Sequence, residues 1–196
     1  LTEILHRAGV PPGVLNLVFG NPAEISGHLI PQDPVRLVAF TGSTAVGRQL
    51  TTLASEHMTS VLMELGGHAP VIVCEDTDVA AAAASGAVRK MRNAGQVCTS
   101  PTRFFVHQEI FEEFAEAFVA RAAKTVVGNG MDASVEMGPL ANVRRVPALS
   151  GLVEDARAQG AEVALGGAAL DQPGYFFAPT VLLNVPDAAR IMQEEP

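Results

Sequence analysis

The sequence predicts an α/β fold built on a mostly parallel sheet. Short apolar runs alternate with helical stretches, an order that favours parallel strands joined by crossover helices. Gly and Pro punctuate most junctions between them. The composition is globular: of 196 residues, 48% are hydrophobic and 17% charged, which suffices for a sizeable core.

The chain opens within an amphipathic helix that carries Leu1, Ile4 and Leu5 on one side. Val14 to Phe19, set between Pro11-Pro12-Gly13 and Gly20-Asn21-Pro22, reads as a first strand. Ala23 to Leu29 suits a short helix. Val35 to Phe40 is a buried-type strand that runs through Thr41-Gly42-Ser43 into a helix reaching about Ala54. Ser60 to Leu65 is a third strand. The Gly66-Gly67 pair that follows marks a domain boundary, dividing the chain into 1–66 and 67–196.

Val71 to Cys74 is the next strand, and Asp76 or Thr77 is placed to cap an Ala-rich helix from Asp78 to about Asn93. Arg103 to His107 reads as a strand. Glu109 to Val127 has the helical period, with Ile110, Phe111, Phe114, Ala117 and Phe118 on one face. A Gly/Asn/Pro-rich loop over 128–140 leads to a helix from Val143 to Gln159, stopped by Gly160. Val163 to Leu165 and Thr180 to Leu183 close the series as strands, either side of a Gly-rich tract at 166–174.

Bulk charge excludes several function classes. The net charge is −8 with acidic residues scattered, which disfavours nucleic acid or an anionic membrane as partner. No apolar run approaches the roughly 18–20 residues needed to span a bilayer, and no leader-like pattern opens the chain. Cys74 and Cys98 are too few for a disulfide framework or a four-ligand zinc site, and the five histidines show no metal spacing. A soluble, cytoplasmic protein is the expectation. The missing initiator Met and the ending Glu194-Glu195-Pro196 read as cut edges of something longer.

Three stretches offer chemistry. Phe40-Thr41-Gly42-Ser43-Thr44-Ala45-Val46-Gly47 passes from strand to helix through a Gly turn, where free N–H groups can meet an anion. Alone it is also an ordinary tight turn, lacking G-x-G-x-x-G and the P-loop lysine. In Met63-Glu64-Leu65-Gly66-Gly67, Glu64 ends a largely apolar strand, where a desolvated carboxylate would suit a general base; a solvated strand-end Glu is the plain alternative. In Asn93-Ala94-Gly95-Gln96-Val97-Cys98-Thr99-Ser100, Cys98 lies in a polar loop, as reactive thiols do, or is a bystander. Cys74, after Val71-Ile72-Val73, reads as a packed, inert strand residue. His68 lies near Gly66, but a Cys–His hydrolase is disfavoured. Arg89, Lys90 and Arg92 read as a solvated helix face.

In this order the three stretches resemble the aldehyde dehydrogenase superfamily. FTGSTAVG, MELGG and GQVCTS are similar to its signatures, with Glu64 and Cys98 34 positions apart. Gly138-Pro139-Leu140, Gly166-Gly167, Gly174-Tyr175-Phe176-Phe177-Ala178-Pro179-Thr180-Val181 and the final Glu194-Glu195-Pro196 look like further landmarks, so the resemblance covers essentially the whole chain. It implies the C-terminal part of a Rossmann-like NAD(P)-binding domain over 1–66, then a thiol-bearing α/β catalytic domain over 67–196. It implies Cys98 as nucleophile and Glu64 as the base that activates water. It places Gly42, Ser43, Gly47, Leu65, Gly66 and Glu195 around NAD or NADP, with no metal, a small aldehyde as substrate and a homo-oligomeric parent. The family's oxyanion-hole Asn and adenosine-ribose Lys lie upstream of these motifs and have no counterpart here. The alternatives are a non-catalytic structural module and a relative that passes its thioester to coenzyme A; Glu64 argues against the latter.

Overall fold

The computed structural model describes residues 1–196 and divides into two compact units, Leu1–Leu65 and Gly66–Pro196. Gly66 thus begins the second unit.

The first unit holds α1 (Thr2–Arg7), α2 (Pro22–Leu29), β1 (Leu37–Gly42), α3 (Thr44–Ser55) and β2 (Ser60–Leu65). Asn21 starts α2 by accepting the Ala23 N–H at 3.0 Å, with Pro22 in the first turn, where its missing donor costs nothing. β1 and β2 pair in parallel from Leu37↔Ser60 to Gly42↔Leu65, and α3 is the crossover between them. Val14 to Phe19 is not a strand. The Val14 N–H closes a turn onto the Pro11 carbonyl, and the segment forms no ladder with another strand. Its apolar side chains stay open, Phe19 at 86% exposure; strand composition alone does not make a strand where no ladder forms.

The second unit holds β3 (Pro70–Val73), α4 (Val79–Met91), β4 (Arg103–Val106), α5 (Phe111–Ala122), α6 (Arg145–Ala158), β5 (Glu162–Leu165) and β6 (Val181–Leu183). β3 and β4 are parallel, from Pro70↔Arg103 to Val73↔Val106, with α4 crossing between them. β5 and β6 are antiparallel, the exception to the parallel rule. Asp78 caps α4, accepting the Ala81 N–H at 3.0 Å; Asp76 and Thr77 lie too far upstream to reach that turn. α5 is shorter than its periodicity suggests. A 3-10 turn occupies Gln108–Ile110, and the chain leaves the helix after Ala122 so that Val127 can bridge Met137.

The core of this unit packs Val73, Val79, Ala83, Ala87 and Met91 against Phe114, Phe118, Ala122 and Met137. Phe104, Phe114 and Phe118 form an aromatic trio, the closest pair 4.9 Å apart and edge-on. No helix is long and apolar enough to cross a membrane.

Candidate active site

Parallel pairing sets the geometry of the first unit. Thr41 is opposite Glu64 and Gly42 opposite Leu65, so the Gly42-Ser43 turn and the Glu64-Leu65 pair share the carboxyl edge of the two strands. In parallel α/β structures that edge is where ligands gather. Ser43 caps α3, its Oγ accepting the Val46 N–H at 3.4 Å, which leaves the earlier amides of the helix N-terminus facing outward. Gly47 is buried, and a Cβ there would lie 2.7 Å from Leu65 Cδ2. Its lack of a side chain lets α3 close onto β2, so Gly47 stands behind the turn and supports it through packing. Glu64 is exposed, on the opposite face of β2 from half-buried Met63 and Leu65. Its carboxylate meets solvent, as in the solvated strand-end reading that the sequence left open beside a desolvated one.

In the second unit the loop after α4 carries Cys98. Asn93 and Ala94 both have φ 53° and Gly95 has φ 74°, three left-handed residues in succession. For Ala94 this costs about 1–2 kcal/mol, strain that persists only where surrounding contacts impose it. Gln96 supplies several: its side-chain oxygen accepts the Ala141 N–H at 2.7 Å, and its Nε2 donates to the Asn93 carbonyl at 3.0 Å. Asn93 Nδ2 returns a bond to the Gln96 carbonyl at 3.1 Å, and the Ser100 N–H donates to the Val97 carbonyl at 2.8 Å. Between these anchors Cys98 is an exposed, free thiol. Its own backbone N–H meets no acceptor within the chain's turns and loops.

Two expectations need correction. Cys74 is exposed rather than packed, because β3 ends at Val73 and Cys74 begins the turn closed by the Thr77 N–H. Exposure therefore does not separate the two thiols; the anchored loop does. Lys90 does not belong to a solvated face. Arg89 and Arg92 are exposed, but Lys90 is turned inward and half-buried. Burial pushes its ammonium below the usual lysine range, opposed by the Glu195 carboxylate.

Gly66 and Glu195 meet. A Cβ on Gly66 would collide with the Glu195 carboxylate, lying 2.7 Å from its Cδ. That close passage, with acceptor oxygens presented beside a bare backbone, fits a ribose hydroxyl pair held by a carboxylate. His68 is next to it: its Nδ1 lies 3.2 Å from Thr102 Oγ1, and its Nε2 is buried without a partner. Burial lowers its proton affinity, Arg103 lowers it further, and Glu195 opposes both.

Linear spacing also missed a gathering of Glu75, His107 and Glu109, whose ligand atoms lie within 4.8 Å of one another. His107 Nδ1 accepts the Glu109 N–H at 3.4 Å, so the ring proton is on Nε2, 3.6 Å from Glu75. That arrangement is a capped turn with a solvent-exposed contact between the imidazole and Glu75.

The model of the aldehyde dehydrogenase family matches residues 1–196. Over 187 residues the chain is 48% identical to a 4-(hydroxymethyl)benzenesulfonate dehydrogenase of Comamonas testosteroni, covering 95% of this chain and 39% of that protein. It is 39% identical over 195 residues to the NADP+-dependent succinate-semialdehyde dehydrogenase of Escherichia coli K12, covering 100% of this chain and 40% of that one. A crystal structure of a Pseudomonas syringae aldehyde dehydrogenase with NAD+ and octanal superposes with a TM-score of 0.93 at 31% identity, over 98% of this chain and 40% of the other. The chain thus spans about two fifths of the length of the relatives it matches.

Proposed function

The chain belongs to the aldehyde dehydrogenase family, and from that premise we propose that it contributes the thiol, the base and part of the cofactor cradle to an NAD(P)-dependent oxidation of an aldehyde to a carboxylic acid. The observation that carries the reading is the thiol loop: Cys98 is exposed in the turn closed by the Ser100 N–H, three residues after a left-handed stretch that Gln96 anchors. Residues 1–66 act as part of the NAD(P)-binding domain and residues 67–196 as the thiol-bearing domain.

Cys98, as thiolate, attacks the aldehyde carbon and forms a thiohemiacetal. The new oxyanion takes a hydrogen bond from the free backbone N–H of Cys98, one donor of an oxyanion hole. NAD(P)+, when bound, supplies the acceptor for the hydride that leaves the same carbon. The resulting thioester is attacked by water, whose proton goes to Glu64; collapse releases the acid and restores the Cys98 thiolate. Gly42 and Ser43 would hold the cofactor, with Gly47 packed behind their turn, and Leu65 and Gly66 would serve its nicotinamide end. The Glu195 carboxylate would accept hydrogen bonds from the nicotinamide ribose hydroxyls. The chain acts in a soluble, cytoplasmic homo-oligomer on a small aldehyde.

NAD(P)H formation over an aldehyde panel tests this, for the protein and its Cys98→Ala, Cys74→Ala and Glu64→Gln variants. The panel includes succinate semialdehyde and octanal, after the relatives above. Turnover should vanish with Cys98→Ala and survive Cys74→Ala. Turnover that persists in Cys98→Ala overturns the assignment.

A further inference from the structure

We propose that Lys90 is a positioning residue: its side chain crosses Gly95 and bonds Ser100, holding both ends of the loop that presents Cys98. Its catalytic meaning rests on the reading of Cys98 given above.

The geometry is local to the second unit. A Cβ on Gly95 would lie 2.7 Å from Lys90 Nζ and 3.0 Å from its Cε, so the bare glycine leaves room for the end of the lysine to rest against it. Beyond it, Nζ donates to Ser100 Oγ at 3.4 Å. Ser100 is 4% exposed, one of only two buried polar residues in the chain. The ammonium therefore spans from the left-handed turn at the loop's start to a sequestered hydroxyl at its end, with Cys98 between them in sequence.

A lysine on a helix ordinarily lays its stem along the surface and keeps its charge in water. Lys90 does the reverse and takes part in none of the chain's three ion pairs. An inward ammonium is costly to desolvate, and the loop it crosses is strained at Asn93 and Ala94. The two features explain each other. Gln96 ties the loop outward to Ala141, and Lys90 ties it from inside. Without the inner tie, the turn relaxes toward ordinary backbone angles, and Sγ spends time covered.

Site-resolved labelling tests this. The protein and its Lys90→Met, Lys90→Arg and Ser100→Ala variants are treated with iodoacetamide, and alkylation at Cys98 and Cys74 is followed separately by mass spectrometry. Cys74 is the internal reference, because it is also an exposed free thiol but lies on a different turn. Lys90→Met keeps the stem and loses the charge; Cys98 should slow about fivefold relative to Cys74, the scale of one net hydrogen bond. Lys90→Arg should recover most of the rate. Ser100→Ala should slow Cys98 similarly, and the double variant no further, since both remove one interaction. A Cys98-to-Cys74 ratio unchanged in Lys90→Met, a common change at both thiols, or additive single effects each overturn the proposal. Failure of the nucleophile reading is distinct: it appears as aldehyde oxidation that survives Cys98→Ala, whatever the labelling ratio.

Discussion

Gly66 lies flush against the carboxylate of Glu195, with no room for a Cβ between them. The two residues stand at opposite ends of the second unit's sequence, so the contact fixes where that unit's last residues cross its first. Glu195 is the far end of a flexible side chain and can yield. Gly66→Ala should therefore change stability by no more than about 0.5 kcal/mol, as surface substitutions do, while displacing the carboxylate. The expected signature is weakened NAD(P)H binding in a fluorescence titration with an unchanged urea midpoint. Unchanged binding would remove Glu195 from the cofactor site.

Gly166 gives the opposite expectation. It has φ 66°, and a Cβ there would run into the Pro179 carbonyl, which is backbone and cannot swing aside. Gly166→Ala should cost about 1–3 kcal/mol from overpacking, added to the left-handed penalty. Urea denaturation measures it as a lower midpoint at constant slope.

His68 makes the second unit sensitive to mild acid. Burial, then Arg103, holds its folded proton affinity below the ordinary value of 6.5. An unfolded chain accepts this proton at a pH where the folded chain refuses it, so the contribution is complete above 6.5 and falls as pH drops toward the folded value. His68→Asn retains a partner for Thr102 and removes the titration. Thermal melts between neutral pH and mild acid should be flatter for the variant; an identical slope would contradict this.

Arg121 and Glu136 act in the acid range. Arg121 donates to Glu136 at 2.7 Å, and that bond, with a further one from the Val126 N–H, holds the Glu136 carboxyl below the usual range. Its stabilisation is present above the ordinary carboxylate value and is lost as pH falls through the folded one. The pair is solvent-accessible, so the effect is small and weakens with salt. Arg121→Met should reduce the acid dependence of the melt at low ionic strength and little at high.

Much of this was legible in the sequence. Strong punctuation placed β1, β2, β3 and β4 within two residues, and Gly160, at φ 107°, stops α6 as expected. Family signatures singled out Cys98, Glu64 and Glu195 as candidates by their order, and the proposed chemistry rests on them. What failed depends on partners distant in sequence. Val14 to Phe19 has strand composition, but no free edge pairs with it. Cys74 follows an apolar run that ends one residue too early to bury it. Lys90 sits among exposed arginines, and only the path of its stem over Gly95 shows it turned inward. The glycine in Gly95-Gln96-Val97-Cys98 was the available signal: a position with no side chain beside a nearby long one invites the question of what crosses it.

The central claim is that Cys98 forms the covalent intermediate and Glu64 releases it. Its most direct test is intact-protein and peptide mass spectrometry of Glu64→Gln after mixing with an aldehyde and NAD(P)+, with the unsubstituted protein alongside. Removing the base should leave the thioester standing, so the acyl mass should accumulate on Cys98 in Glu64→Gln and turn over in the unsubstituted protein. An acyl group found on Cys74, or none on Cys98 while NAD(P)H is produced, would contradict the account.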